Sequence, residues 1–188
     1  MFRKTLVLVT LSLCLTGCSL VQVVDANHSN HGMQHGNSDM SSSDLMFAQM
    51  MIPHHQQAIE MSKLAQTRAE SPLVKDLAEQ ILAEQGPEID LMTSWLTDAG
   101  QKLTDHSMHG HSSGMLTEEQ LQTLAGLKGN AFDNYFLDAM IDHHKGAVLM
   151  AKDALITSNP DLQMLLERII DSQNKEIAVM KQLLVEIN

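Results

Sequence analysis

Residues 47–61 read FAQMMIPHHQQAIEM, and residues 136–150 read FLDAMIDHHKGAVLM. The two stretches share Phe, Met, His-His, Ala and Met in the same order, each shared residue recurring 89 positions later. At about 100° per residue, the shared residues fall within a helical stripe roughly 120° wide. A helix normally buries such a stripe. Two imidazoles and two thioethers on that face predict either unusual packing or metal ligands.

Each of these stretches is followed by a second repeated pattern. Residues 85–92 and residues 173–180 both read Gln-x-x-Glu-Ile-x-x-Met, now 88 positions apart. The difference of one residue indicates a length change in the intervening loop, which loops tolerate better than helices. The repeated unit is therefore a helical hairpin. Two such hairpins predict an all-α protein, an antiparallel four-helix bundle.

Composition supports a helical core and argues against one class of partner. Aromatic residues make up only 3% of the 188 residues, whereas there are 14 Met and 10 His. The formal net charge is −11, and nucleic-acid-binding proteins are expected to carry a basic patch. We therefore predict no nucleic acid partner. The acidic surface is compatible with attraction of cations, although it also serves simply to keep a protein soluble.

Residues 1–17 are predicted to be a signal peptide. Arg3 and Lys4 precede an apolar run over 6–15 that is too short to span a bilayer as a stable helix. The sequence Leu-Thr-Gly-Cys ending at Cys18 resembles a bacterial lipobox, which implies cleavage before Cys18 and a lipid anchor there. Ordinary cleavage after Ala26 is the alternative. Either processing route exports the protein to the periplasm or the cell surface.

Cysteine chemistry is not expected in the mature chain. The second cysteine, Cys14, lies in the predicted signal peptide. If it is removed, the folded domain has neither a disulfide nor a cysteine nucleophile.

Two segments flank the repeats and are too polar to fold alone. They are a predicted flexible tail over 18–43 and a linker over 101–116, and both mix His with Met. Histidine-rich tracts are typical of metal capture, whereas a single such tract could equally be an ordinary flexible segment. We interpret the pair as auxiliary metal-binding segments. Their candidate ligands are His28, His31, Met33, His35, Met40, His106, Met108, His109, His111 and Met115.

Capping signals place the four long helices within residues 44–187. The first helix is predicted to start after Ser43 or Asp44 and to reach about residue 69, with a kink or a 3₁₀ turn at Pro53. The second runs over about 72–98, interrupted at Gly86-Pro87. A capping box at 117–120 predicts a short helix that Gly129 ends. The third and fourth long helices are predicted over about 130–157 and 161–186.

The donor types on the repeated face suit soft and borderline metal ions. Thioethers suit Cu(I), and imidazoles suit Cu(II), Zn or Ni. Adjacent histidines diverge by about 100°, so one of each pair is expected to reach a given ion. The glutamate of each repeat either binds the ion or accepts the second ring N–H of a histidine ligand; a metal-free hydrogen bond is the alternative. The candidate metal ligands are Met51, His54, His55, Met61, Glu88, Met92, Met140, His143, His144, Met150, Glu176 and Met180.

Other residues near the stripe are given structural roles. Gln85 and Gln173 are predicted to support the ligands, and Met92 and Met180 are equally compatible with core packing. Met46, Met50 and Met164 lie outside the repeat and are predicted to be packing residues.

The doubled motif resembles the ferritin-like family catalogued as domain of unknown function 305. The resemblance covers about residues 44–187 and rests on the two Phe-x-x-x-Met-x-x-His-His-x-x-Ala-x-x-Met stretches with their Gln-x-x-Glu-Ile-x-x-Met partners. It implies a ferritin-like four-helix bundle and a periplasmic or surface location. It also implies binding of copper, with silver as a second candidate, in copper tolerance.

Three functions are compatible with these observations. The preferred hypothesis is an exported, non-enzymatic protein that sequesters or buffers Cu(I) and Cu(II), with a copper-export or envelope metallochaperone protein as its partner. The second is a ferritin-like di-metal oxidase or peroxidase, which is disfavoured because the repeats lack the Glu-x-x-His pairs of such sites. The third is a metal-free structural bundle.

Overall fold

The computed structural model describes residues 40–103 and 114–187. The described residues form five α-helices and one 3₁₀ turn: α1 (Ser42–Arg68), α2 (Pro72–Asp98), α3 (Glu118–Gly126), α4 (Asn130–Asp153), the 3₁₀ turn Ala154–Ile156 and α5 (Pro160–Glu186). The all-α fold predicted from the repeats is confirmed, with α1–α2 and α4–α5 as the two hairpins. The signal peptide, Cys18 and eight auxiliary candidates lie outside the described residues: His28, His31, Met33, His35, His106, Met108, His109 and His111.

Two apolar clusters fill the two ends of the bundle. One, which we call the Met61 cluster, includes Met61, Ala65, Val74, Leu77, Phe132, Phe136, Met140, Met180 and Leu183. The other, the Met51 cluster, includes Leu45, Phe47, Met51, Met92, Leu96, Ala151, Leu162 and Leu166. The Met61 cluster combines the ends of α1 and α5 with the starts of α2 and α4. The Met51 cluster combines the starts of α1 and α5 with the ends of α2 and α4. Neighbouring helices therefore run antiparallel, and α4 begins at the opposite end of the bundle from the end of α2.

Side-chain caps set several helix ends. The Ser41 hydroxyl accepts a hydrogen bond from the amide of Asp44, whose carboxylate accepts one from the amide of Ser41. The predicted capping box before α3 is present between Thr117 and Gln120. The Asn159 side chain caps α5 by accepting from two backbone amides of its first turn. These contacts satisfy donors that a helix cannot satisfy internally.

The predicted interruption of α2 at Gly86-Pro87 is wrong. The helix is continuous from Pro72 to Asp98, and α1 is likewise α-helical through Pro53, without a 3₁₀ turn. A proline removes one backbone hydrogen bond. Helix α2 has fully buried side chains on both sides of its proline, at Ile81 and Met92, and we attribute its continuity to the packing of these two residues.

The predicted packing role of three methionines is also wrong. Met46, Met50 and Met164 are 51%, 37% and 63% exposed. Met46 and Met50 each precede a residue of the buried stripe by one position, and about 100° of rotation turns them away from the core.

A buried carboxylate joins the two hairpins at one end of the bundle. Asp133, in the first turn of α4, accepts hydrogen bonds from the backbone amides of Glu70 and Ser71 at 3.1 and 2.8 Å. The Glu70 side chain in turn accepts from the amide of Asn130. The turn between α1 and α2 and the start of α4 therefore cap each other.

The returning end of the linker is attached beside the histidines of both repeats. The Gln57 side chain, on α1, exchanges two hydrogen bonds with the backbone of Leu116, at 2.9 and 2.7 Å. Gly114 has a φ of +84°, and a Cβ there would lie 2.9 Å from the Cα of His143 and closer still to the carbonyl of Asp142. Glycine is required at this position, both by its backbone conformation and by the close approach to α4.

We predict that Gly114→Ala lowers the free energy of unfolding by about 2–5 kcal/mol, measured by urea denaturation. Positive φ costs an alanine about 1–2 kcal/mol, and the displaced backbone adds an overpacking cost of about 1–3 kcal/mol. Gly100→Ala is the matched control, because Gly100 has a φ of +69° but open space around it. Equal losses in the two variants would contradict the close packing of Gly114 against α4.

Candidate metal centre

A layer of polar side chains separates the two apolar clusters. All eight members are at most 7% exposed, and each lies near the middle of its helix. We call this set the polar layer: His54, His55, Gln85, Glu88, His143, His144, Gln173 and Glu176. The motif residues of both repeats that carry nitrogen or oxygen donors are thus brought together at mid-height of the bundle.

One histidine of each repeat meets its counterpart at the contact between α1 and α4. The ring centroids of His54 and His143 are 3.8 Å apart, with an interplanar angle of 41°. The centroids of the adjacent rings of His143 and His144 are 6.2 Å apart. The repeated pairs therefore act as the helical geometry predicts, with one ring of each pair directed at the other repeat.

The second histidine of each pair is bound to the glutamate of its own hairpin. His55 Nε2 lies 2.8 Å from Glu88 Oε2, and His144 Nε2 lies 2.8 Å from Glu176 Oε2. An ionised carboxylate can only accept, so Nε2 carries the proton and Nδ1 of a neutral ring carries the lone pair. Nδ1 of both rings is buried, and neither has a hydrogen-bond partner among the described residues. A carboxylate that orients an imidazole in this way is typical of metal sites.

His143 is among the least satisfied members of the polar layer. Within the described residues, neither of its ring nitrogens has a hydrogen-bond partner. Burial lowers the pKa of His143 well below its usual value, and His54, His144 and His55 lower it further. The backbone of His54 opposes this shift in part. The ring is therefore neutral at pH 7 and retains a lone pair for an electrophile.

Thioethers lie on both sides of the polar layer. Met51 and Met92 are fully buried in the Met51 cluster, against which Met150 is partly buried. In the Met61 cluster the corresponding fully buried residues are Met61, Met140 and Met180. Met51 precedes His54 by three positions, as Met140 precedes His143, and such residues are neighbours on one helical face. His54 and His143, which we call the central histidines, thus each have a methionine sulfur within one helical turn on their own helix.

The donors nevertheless do not form a ready-made cluster of hard ligands. Among the described residues, no three His, Cys, Asp or Glu side chains are grouped so that they could hold a metal ion.

Of the auxiliary candidates, Met40 and Met115 are described, and both are partly buried. Gln85 and Gln173 lie in the polar layer, and Gln85 has no partner for either side-chain atom within the described part of the chain.

The sequence analysis missed one charged participant. Arg168 Nε lies 3.2 Å from Glu88 Oε1, and this contact bridges α5 and α2. Gln80 occupies the matching position of the first repeat, 88 residues earlier. Comparing the repeats outside the motif, position by position, would have revealed this difference in charge.

The family profile of the domain of unknown function DUF305 matches residues 44–184. A predicted secreted DUF305 protein from Streptomyces coelicolor is 31% identical, with a TM-score of 0.72 over 78% of this chain and 94% of that one. CopM in its Cu(II)-bound form is 35% identical, with a TM-score of 0.67 over 77% and 97%. CopM structures with Cu(I) and with Ag are also similar.

A curated viral relative is similar over a shorter stretch. The uncharacterized protein L153 of Acanthamoeba polyphaga mimivirus is 42% identical over 55 residues, which is 29% of this chain. The match spans 36% of the length of that relative.

We predict that the protein loses stability as the pH falls below about 6.5, the ordinary pKa of histidine. The unfolded chain then binds a proton at His143 that the folded chain does not, so the free energy of unfolding decreases with falling pH. His143→Phe keeps a ring and removes the titrating group. It should flatten this dependence below pH 6.5 by at most about 1.4 kcal/mol per pH unit, which is the contribution of one titrating group. Parallel stability curves for the two proteins, from urea titrations, would contradict the prediction.

Proposed function

The chain belongs to the DUF305 family, and from this premise we propose that it is an exported, non-enzymatic protein that binds copper ions. In this proposal it sequesters or buffers copper in the cell envelope, with silver as a competing soft ion, and contributes to copper tolerance. The relatives support this view, since CopM is a family-related protein with Cu(I)-, Cu(II)- and Ag-bound structures. Export is supported by the predicted N-terminal signal peptide and by the similarity to a DUF305 protein that is itself predicted to be secreted.

The observation that carries the proposal is the pair of buried imidazoles at the contact between the repeats. The rings of His54 and His143 approach to 3.8 Å, and burying a polar ring costs free energy unless its nitrogens are satisfied. The nitrogens of His143 remain unsatisfied within the described chain. A soft cation accepted by these rings and by the neighbouring thioethers would remove that cost.

The residues fit Cu(I) better than a harder ion. The central donors are the imidazoles of His54 and His143, and the nearest motif residues on the same helices are Met51 and Met140. Thioethers select Cu(I) over divalent first-row ions. With one glutamate per hairpin, each already bonded to a histidine, the layer offers fewer free carboxylates than a di-metal oxidase needs.

We also propose a location and an exchange partner for the protein. The mature protein is held at the membrane by a lipid on Cys18, or is released after cleavage at Ala26. None of the described helices is long and apolar enough to cross a membrane. A copper-export or envelope metallochaperone protein is the proposed exchange partner.

We predict that His54→Ala combined with His143→Ala lowers the Cu(I) affinity of the mature protein by at least about tenfold. The measurement is a competition titration with a chromophoric Cu(I) chelator under anaerobic conditions. Saturating Cu(I) should also raise the melting temperature of the unmodified protein, because a ligand of the folded state stabilises that state. Unchanged affinity and stoichiometry in the double variant would place the Cu(I) site elsewhere.

We predict a similar loss for Met51→Leu combined with Met140→Leu. Leucine keeps the approximate volume of methionine and removes only the sulfur donor, so folding should be retained. The matched control is Met46→Leu combined with Met164→Leu, which removes two exposed sulfurs. An equal effect of both pairs of substitutions would show that the buried thioethers are not specific ligands.

A further inference from the structure

A groove between α2 and α5 leads from the surface to one half of the polar layer. Its volume is about 300 Å³, and Gln80, Glu84, Arg168, Lys175 and Glu176 are among the residues that line it. We call it the α2–α5 groove. It lies on the side of the bundle away from the contact between α1 and α4, where the central imidazoles meet.

The inner wall of the groove holds a carboxylate with one unsatisfied oxygen. The side chain of Glu176 is 9% exposed, and its Oε2 receives a hydrogen bond from His144. Its Oε1 is buried without a hydrogen-bond partner among the described residues. A buried carboxylate oxygen is costly unless a cation or a donor satisfies it.

The basic residues of the groove are engaged with other carboxylates. Arg168 pairs with Glu88, and Lys175 pairs with Asp171. Glu84 lies at the exposed part of the groove, and its pKa is raised by its partial burial and by the negative charges of Glu176 and Glu88. His144 and Lys175 oppose this shift in part. Negative charge therefore accumulates at Glu84 and Glu176.

The two repeats differ at this point. Arg168, on α5 of the second repeat, compensates the carboxylate of Glu88 in the first repeat. The position that corresponds to Arg168 in the other hairpin is Gln80, which carries no charge. The His55–Glu88 pair is therefore neutralised by a guanidinium, whereas the His144–Glu176 pair is not.

We propose that Glu84 and Glu176 form an outer site for a divalent cation, Cu(II) by its donor chemistry, from which the ion reaches the imidazole of His144. This inference rests on the proposed copper-binding function and assigns the two oxidation states to different places. Carboxylate oxygen and imidazole nitrogen suit Cu(II), whereas the thioethers beside the central histidines suit Cu(I). Arg168 keeps the equivalent position of the first repeat closed to a cation.

The experiment measures Cu(II) and Cu(I) affinity separately in the full mature chain. Cu(II) is titrated as its sulfate and followed by calorimetry, and Cu(I) by anaerobic chelator competition. Glu84→Gln should weaken Cu(II) binding about tenfold and change the Cu(I) affinity by less than about twofold. Glu79→Gln is the matched control, because it removes the same charge from an exposed position of α2 that does not line the groove.

Two exchanges between the repeats provide the sharper test. Gln80→Arg places a guanidinium opposite Glu176 and should weaken Cu(II) binding as Glu84→Gln does. Arg168→Gln frees Glu88 and should add a second Cu(II) equivalent that is weaker than the first, because Ser172 occupies the position that matches Glu84. Because Gln80 is exposed, the first exchange should fold normally even if the second lowers stability, which thermal melting will show.

The outcomes separate this inference from the proposed function. Unchanged Cu(II) affinity in both Glu84→Gln and Gln80→Arg, with copper binding otherwise intact, would overturn the outer site and leave the proposed function standing. An equal loss in Glu79→Gln, or an equal loss of Cu(I) affinity in Glu84→Gln, would also overturn it. If the unmodified protein binds neither ion, both proposals fail together.

Discussion

The structure depends on placing four imidazoles in one polar layer between two apolar clusters. Neighbouring residues on a helix point about 100° apart, so an adjacent pair cannot direct both rings at one neighbour. Here one ring of each pair meets the other repeat, and the second donates to the glutamate of its own hairpin. A slip of one helical turn would place an imidazole or a carboxylate against an apolar cluster. The polar layer therefore sets the register of all four long helices.

Much of this architecture could be predicted from the repeats alone. The recurrence of His-His between Phe, Met and Ala at helical spacing identified the buried face of α1 and α4, and the Gln-x-x-Glu pattern identified that of α2 and α5. The starts of α2, α3 and α5 followed from short-range capping chemistry, which is local in sequence. The predicted start of α1 was wrong, because Ser41 caps it in place of Ser43 or Asp44. The identity of the ring that meets the other repeat could not be predicted, because it depends on how the two hairpins rotate against each other.

The wrong predictions, a break in α2 at Gly86-Pro87 and packing roles for three methionines, have a common physical origin. The expectation of a break at Gly86-Pro87 weighed a lost backbone hydrogen bond and did not weigh the packing of Ile81 and Met92 on either side. Met46 and Met164 were predicted to be buried because methionine is apolar. Their exposure depends instead on which side of the helix they occupy relative to the core. In each case, tertiary context outweighed a rule about a single residue, and the longer repeat carried the reliable information.

Duplication makes the two halves alike in donors, and a few substitutions make them unlike in charge. Both hairpins contribute the same Met, His-His and Glu set, but only Glu88 is opposite an arginine. A buried carboxylate that already has a guanidinium gains little from a further cation, whereas one with an unsatisfied oxygen gains more. Chemically identical His–Glu pairs can therefore differ in cation affinity through residues outside the motif. In other members of the family, the charges at the positions of Gln80 and Arg168 should therefore predict which half of the bundle binds a cation. They should be a better guide than the motif residues, which are the same in both halves.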